Sequence, residues 1–333
     1  LPIPLAASTI TADPLAAEGE IDDDRCSLHE AIREANYPGT HSGGTGLADE
    51  CQPGSSGLDT IELLPGATYN LTQISETVGG DTGLPWVSTP IVIEGHNATI
   101  RRDPSFTTCD GSQPTLEFRI FQVIGFSSLE LRDLSLENGC SESGGGGAVS
   151  VGTGSSLTLD RCWVSGNRSV SPKWGGAIEG SKDVNITIVE SVLSGNQADR
   201  GGAISFMAGT LTVNGSTITG NTAQLGGGVY LLGGDSDAPV NRVTFNNSTV
   251  SGNSANHGGG VYVRAAGTTF STLALSNSTV TDNSAFFGSG IFADGDDGPG
   301  AWVFSSNSIV AQQASGDDCS GSGTTFSSGG YNI

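Results

Sequence analysis

The sequence predicts an all-β protein, a parallel β-helix closed at its N-terminal end by a short α-helix. Three observations carry this. A double-glycine unit recurs at intervals of 29, 26, 25, 32 and 30 residues. An upstream Asn keeps step with it. Short apolar bursts alternate at period two, and no helix long enough to cross between neighbouring strands separates them.

The residue after each double glycine is Ala148, Ala177, Ala203, Gly228, Gly260 and Gly290. The upstream marker is Asn167, Asn196, Asn221, Asn253 and Asn283, with Gln313 in the sixth place. After the glycines the chain alternates, as in Val229-Tyr230-Leu231 and Val261-Tyr262-Val263, the pattern of a strand with one face buried. A second burst follows, for example Leu211-Thr212-Val213, and a third leads into the Asn, as in Ser216 to Asn221. Such units wind as coils that stack about 4.8 Å apart. Equivalent residues then lie over one another. A stacked Asn column passes amide hydrogen bonds from coil to coil, and Gly-Gly allows backbone shapes and close approaches denied to other residues. The Asn-x-Ser/Thr matches at Asn214 and Asn277 fall out of the same repeat and are weak signs of glycosylation.

The organisation expected is one structural domain. Residues 1–58 supply an N-terminal strand, the capping helix and a loop, and residues 59–333 supply the solenoid, regular from about 139. CSLHEAIREAN at 26–36 carries the helix. Ser27 and Glu30 have capping-box spacing, and Leu28, Ala31, Ile32 and Ala35 make one apolar face. His29, Arg33 and Glu34 are expected on the solvated side. Residues 37–58 read as a Gly/Ser-rich loop that includes His41. Less regular coils follow, with bursts at Thr60–Leu64, Ile91–Glu94, Ile120–Ile124 and Leu129–Leu136.

The formal charge is −22, from 35 acidic against 13 basic residues, of which two are Lys. Nucleic acid and anionic membrane surfaces are therefore unfavourable partners. An acidic polysaccharide is repelled too, unless a cation or local Arg intervenes. No apolar run is long enough to insert into a membrane. The six cysteines form no CxxC pair and suit an oxidising compartment. Cys26–Cys51 is the expected disulfide, tying the helix to the loop after it; the remaining pairings stay open. A monomer is expected.

CSLHEAIREAN resembles the CSLREA motif, with His29 where that family usually has Arg. DTIELLPGATYNL at 59–71 resembles the segment that follows it there. The GGA and GGG units resemble polymorphic outer-membrane-protein β-helix repeats. DCSGSGTTFSSGGYNI at 318–333 resembles the closing segment of choice-of-anchor proteins of secreted bacterial origin. The resemblance implies a right-handed coil, exported to or beyond the bacterial cell surface. It implies little about chemistry.

GDDC at 316–319 resembles the paired aspartates of polygalacturonase-type glycosidases. Only 14 residues follow Cys319, and the downstream motifs of those enzymes are missing, so Asp317 and Asp318 are read as structural. GDGDDGPG, with Asp294, Asp296 and Asp297, reads as a solvated turn. With four histidines, two of them (His41 and His96) among Gly and Asn in expected loops, and no G-x-S-x-G elbow, nucleophilic hydrolysis is not indicated.

The position before the double glycine varies most: Trp174, Arg200, Leu225, His257 and Phe287. Stacking puts these on one line. The alternation predicts a second, outward line of Ser150, Glu179, Ser205, Tyr230, Tyr262 and Phe292. The Ala/Gly row between them would floor a groove, with six stations spanning roughly 24 Å. Outward rings suit sugar faces, so the expected partner is an extended polysaccharide or cell-surface glycan. Trp174, Glu179, Tyr262, Arg264, Phe287 and Phe292 would bind it. A polysaccharide lyase acting by β-elimination would need a base, a carboxylate neutraliser and a proton donor. Arg200 or Lys173 would act as base or neutraliser, His257 or Tyr230 as proton donor or base, and Glu179 and Asp199 would hold calcium. The alternative is a non-catalytic adhesin or stalk.

Overall fold

A computed structural model describes residues 8–16, 18, 23–37, 51–170, 172–233, 241–266, 270–297 and 300–329. His41, most of the Gly/Ser-rich loop and the side chains of Asp296 and Asp297 lie outside the described residues. The named strands pair in parallel and build three faces of a coil. One face is an eight-stranded sheet running in coil order from Phe121–Val123 to Cys319–Ser322. The other two faces join through the long strands Ile91–Arg102 and Ser128–Glu137, whose two halves pair into different columns.

Register explains the repeat. Ile178, Ile204, Val229, Val261 and Ile291 stack inside one face. Ile186, Leu211, Val243, Leu273 and Val303 stack inside another. All belong to one continuous apolar core. Each such side chain contributes about 1.5–3 kcal/mol by leaving water, so the coils hold together through period-two strands with little help from helices.

The Asn column forms as expected. Asn196 Oδ1 accepts from the backbone N–H of Asn167 at 3.0 Å and its Nδ2 at 3.1 Å. The pattern repeats through Asn221, Asn253 and Asn283 and ends on Gln313 Oε1. A second ladder went unread in the sequence. The Oγ atoms of Ser216, Ser248, Ser278 and Ser308 accept backbone N–H groups of Ser191, Ser216, Ser248 and Ser278 at 3.0–3.2 Å. Its sequence signal was the Ser that opens each third burst. The residue before it is Gly215, Asn247, Asn277 or Asn307, each with positive φ, which accounts for the glycosylation-like match at Asn277 as turn chemistry, while Asn214 ends the strand Gly209–Asn214.

The two glycines have separate reasons. The first of each pair is left-handed, with φ of 62°, 65°, 63° and 63° at Gly175, Gly201, Gly226 and Gly258. At the second, a Cβ on Gly202 would stand 2.2 Å from the carbonyl oxygen of Gly227 in the next coil. One glycine turns the chain and the other lets coils stack.

The helix Leu28–Asn36 has its full capping box: Ser27 Oγ accepts from Glu30 N–H, and Glu30 accepts from Ser27 N–H at 2.8 Å. Its expected solvated side is corrected by the structure. His29 and Glu34 are buried and Arg33 is half-buried. Chain segments cover the helix. Arg33 pairs with Glu76 at 3.1 Å, Asn36 accepts from Ser88 N–H at 2.9 Å, and Gly54 packs on the Glu34 carbonyl. Cys26–Cys51 forms, and Cys109–Cys140 is a second disulfide. Cys162 is a buried thiol and Cys319 an exposed one. No helix among the described residues is long and apolar enough to cross a membrane.

Candidate functional site

The column before the double glycine stacks in register. Isolated parallel bridges link Trp174 to Arg200, Arg200 to Leu225, Leu225 to His257 and His257 to Phe287. Each residue is held where it is because the next glycine turns left-handed and folds the chain back over the outward face of the following strand.

That fold-back corrects the expected groove. Ala148, Ala177 and Ala203 are inside the coil, fully buried, so they floor nothing. Most of the outward line is covered as well: Tyr230 is 0 % and Tyr262 6 % exposed. The two columns touch across the supposed gap. Trp174 lies 6.2 Å from Tyr230, and His257 lies 5.2 Å from Phe292, both edge-on. Below them, Tyr230, Tyr262 and Phe292 form a ring stack with centroids 5.2 and 5.1 Å apart. These rings are a supporting wall under the column, so Tyr262 and Tyr230 offer no open platform to a sugar.

The surface depression lies one residue further out. It has a volume of ≈ 310 Å³ and is lined by Trp174, Arg200, Leu225 and His257 on one side and by Asp199, Gln224 and Asn256 on the other, with Pro172 at one end. Two rows therefore run along the solenoid. The outer row is knitted from coil to coil: Gln224 N–H donates to the Asp199 carbonyl at 2.9 Å, Asn256 N–H to the Gln224 carbonyl at 2.9 Å, and Phe286 N–H to the Asn256 carbonyl at 3.1 Å. Gln224 Nε2 also donates to the Asp199 carboxylate at 3.0 Å. Beyond the depression, Phe286 and Phe287 are exposed, and Phe287 stacks on His257 at 5.2 Å. Gln224, Asn256 and Phe286 were missed in the sequence; their signal was the second residue before each glycine pair, read only at Lys173 and Asp199.

Arg200 stands out within this setting. Its guanidinium sits 5.1 Å from the Trp174 ring centroid and 5.7 Å from that of Tyr230. Among the described residues it makes no hydrogen bond or ion pair, unlike Arg25, Arg33, Arg132 and Arg161, which all meet carboxylates.

The expected catalytic group is not brought together. Arg200 and His257 are two coils apart, about 10 Å along the axis, with Leu225 between them. Tyr230 is buried, and burial raises its pKa, which keeps the phenol protonated. Burial first, then the Asp294 carboxylate, raises that of Tyr262, whose hydroxyl donates to Asp294 at 2.9 Å. Arg264 lies 3.8 Å from the same carboxylate, so it faces Asp294 on the wall. Glu179 accepts from Ser150 Oγ at 3.0 Å; burial raises its pKa despite that bond and the nearby Arg119. Lys173 flanks Trp174, partly exposed, and its carbonyl accepts from Asp199 N–H at 3.2 Å. Among the described residues no group of three or more His, Cys, Asp or Glu side chains is arranged to hold a metal ion.

A family described as a right-handed beta helix region matches residues 128–330, more than half of the chain. No curated protein and no solved structure matches it.

Proposed function

The chain belongs to the right-handed β-helix family, and from that premise we propose that it binds an extended glycan along the double row before the glycine turns. The observation that carries this is two side-chain rows that run in register along the coils, Trp174, Arg200, Leu225, His257 and Phe287 on one side and Asp199, Gln224 and Asn256 on the other. Ring faces and edges meet the C–H surfaces of sugars, and amides and carboxylates meet their hydroxyls. Five rungs extend about 19 Å, enough for several sugar units.

We read the surface as binding without cleavage. β-Elimination needs its base, neutraliser and proton donor around one sugar carbon, and Tyr230 is covered while His257 stands two coils from Arg200. Two disulfides suit an oxidising, extracellular setting, in keeping with the resemblance of CSLHEAIREAN to an exported family. The adhesin reading and the glycan reading thus converge on a rigid, monomeric surface protein. A calcium ion would bind beside Asp199, whose carboxylate lines the depression, whereas Glu179 is held by Ser150 Oγ on the inner, mostly covered line.

The test is affinity electrophoresis of wild type and Trp174→Ala against a polysaccharide panel, with and without calcium. Unsaturated and reducing ends are followed in parallel. Retardation by at least one glycan, lost in the variant and without new ends, is expected. No retardation by any glycan would refute the reading, and unsaturated ends that vanish in Arg200→Ala would make the protein a lyase.

A further inference from the structure

The cations of the double row stand at one end only, where Asp199 shares the rung of Arg200 and its carboxylate accepts from Gln224 Nε2 at 3.0 Å. Arg200 lines the depression, and Lys173 stands one rung away. The remaining rungs offer Leu225, His257 and Phe287 on the inner row and Gln224, Asn256 and Phe286 on the outer. A guanidinium held against both the Trp174 and Tyr230 rings, with no hydrogen bond or ion pair among the described residues, is already oriented by its ring contacts. Its N–H groups form a planar fork that suits a carboxylate or a sulfate.

Long-range charge works the other way. The protein carries −22. A polymer with an anion on every sugar would meet Arg200 at one unit and be repelled at the others. It would also set several charges against Leu225 and Phe287, which compensate none of them. A glycan with one acidic group and neutral neighbours satisfies both conditions.

We infer that, resting on the glycan reading above, the site selects a sparsely charged acidic heteroglycan, binding one oxyanion at Arg200 and neutral sugars over the rungs from Leu225 to Phe287. The shared chemistry is an oxyanion-bearing sugar, whether uronate or sulfate ester. This departs from the uronic-acid homopolymer that a lyase of the expected kind would take. It also gives the bound chain a direction, with its acidic unit towards the N-terminal coils.

The experiment compares gellan, which has one uronate in each four-sugar repeat, with its carboxyl-reduced form, lightly sulfated agarose and polygalacturonate, at low salt. Wild type, Arg200→Gln, Arg200→Lys and Trp174→Ala are measured on each, after near-ultraviolet circular dichroism shows that each variant is folded. Gellan, lightly sulfated agarose or both should bind more tightly than polygalacturonate, and which of them does identifies the oxyanion. Arg200→Gln should weaken that binding about tenfold, with Arg200→Lys recovering part of it. Arg200→Gln should weaken binding of carboxyl-reduced gellan far less than binding of gellan, whereas Trp174→Ala should abolish both. If Arg200→Gln binds every acidic glycan like wild type, or polygalacturonate binds best, the charge assignment is wrong while the glycan reading stands. If nothing in the panel binds wild type, both fall.

Discussion

Asn221 Oδ1 lies 2.9 Å from both the backbone nitrogen and the side-chain nitrogen of Asn196, one coil earlier. Asn221 in turn donates to the Leu193 and Thr219 carbonyls and to Asn253. A single buried amide thus satisfies groups in three coils. Asn221→Ala should cost about 2–4 kcal/mol, because it strands the buried Asn196 N–H and takes a donor from the Leu193 and Thr219 carbonyls. Urea unfolding measures this. Gln313→Ala, at the less buried end of the column, should cost visibly less.

The double glycine makes a contrast that needs no ligand. Gly202→Ala places a methyl 2.2 Å from the Gly227 carbonyl, against rigid backbone, and should cost about 3 kcal/mol or more. Gly195→Ala meets open space and only the left-handed φ of 64°, so it should cost roughly 1–2 kcal/mol. Equal losses in thermal unfolding would contradict the separate roles assigned to turning and stacking.

Acid should loosen the N-terminal cap. Burial, aided by the Arg33 charge, lowers the pKa of His29 to about 4. In the unfolded chain it titrates near 6.5. A depressed folded pKa means that stability falls as the pH drops from 6.5 to 4, by about 3 kcal/mol in all, then levels off for this group. His29→Gln should flatten that part of the stability profile. A variant with the wild-type slope would show that His29 is not its source.

The opposite shift belongs to His96. Its hydrogen bond to Glu62, at 2.6 Å, raises its pKa, with Glu62, Glu94 and Asp133 adding their charges. A raised pKa favours the protonated ring, so any stabilisation is present at low pH and disappears as the pH rises through the folded value. Proton NMR should find His96 titrating above 6.5 in wild type and lower in Glu62→Gln.

Thiol chemistry separates the two unpaired cysteines. Burial raises the pKa of Cys162 to about 12, and partial desolvation of the sulfur, then the Asp318 charge, raises that of Cys319 to about 11 although the residue as a whole is exposed. The native protein should react with iodoacetamide only slowly, and first at the exposed Cys319. Mass spectrometry should find Cys162 modified only after unfolding.

The fold was legible because stacking writes itself into the sequence. Gly226 with Gly227, and Asn221 with Asn253, recur for reasons local to each coil, and the period-two bursts mark the core directly. The site was half legible. Variation at Trp174, Arg200 and His257 pointed to a surface line, and the bridges place that line in register. Period two could say that Tyr230 faces away from the core, but not that Trp174 and Arg200 fold back and bury it. That depends on the left-handed glycine after each of them, a three-dimensional consequence of φ. His29 and Glu34 failed similarly, since an outer helix face is solvated only if no later segment crosses it.

Hydroxyl-radical footprinting with a saturating glycan tests the central claim most directly. Protection should fall on Trp174, Leu225, His257, Phe286 and Phe287 and spare the exposed rings of Trp163, Trp302 and Phe304. Protection confined to Phe270, Trp302 and Phe304, an exposed aromatic cluster on another face, would show that the double row is not the binding surface.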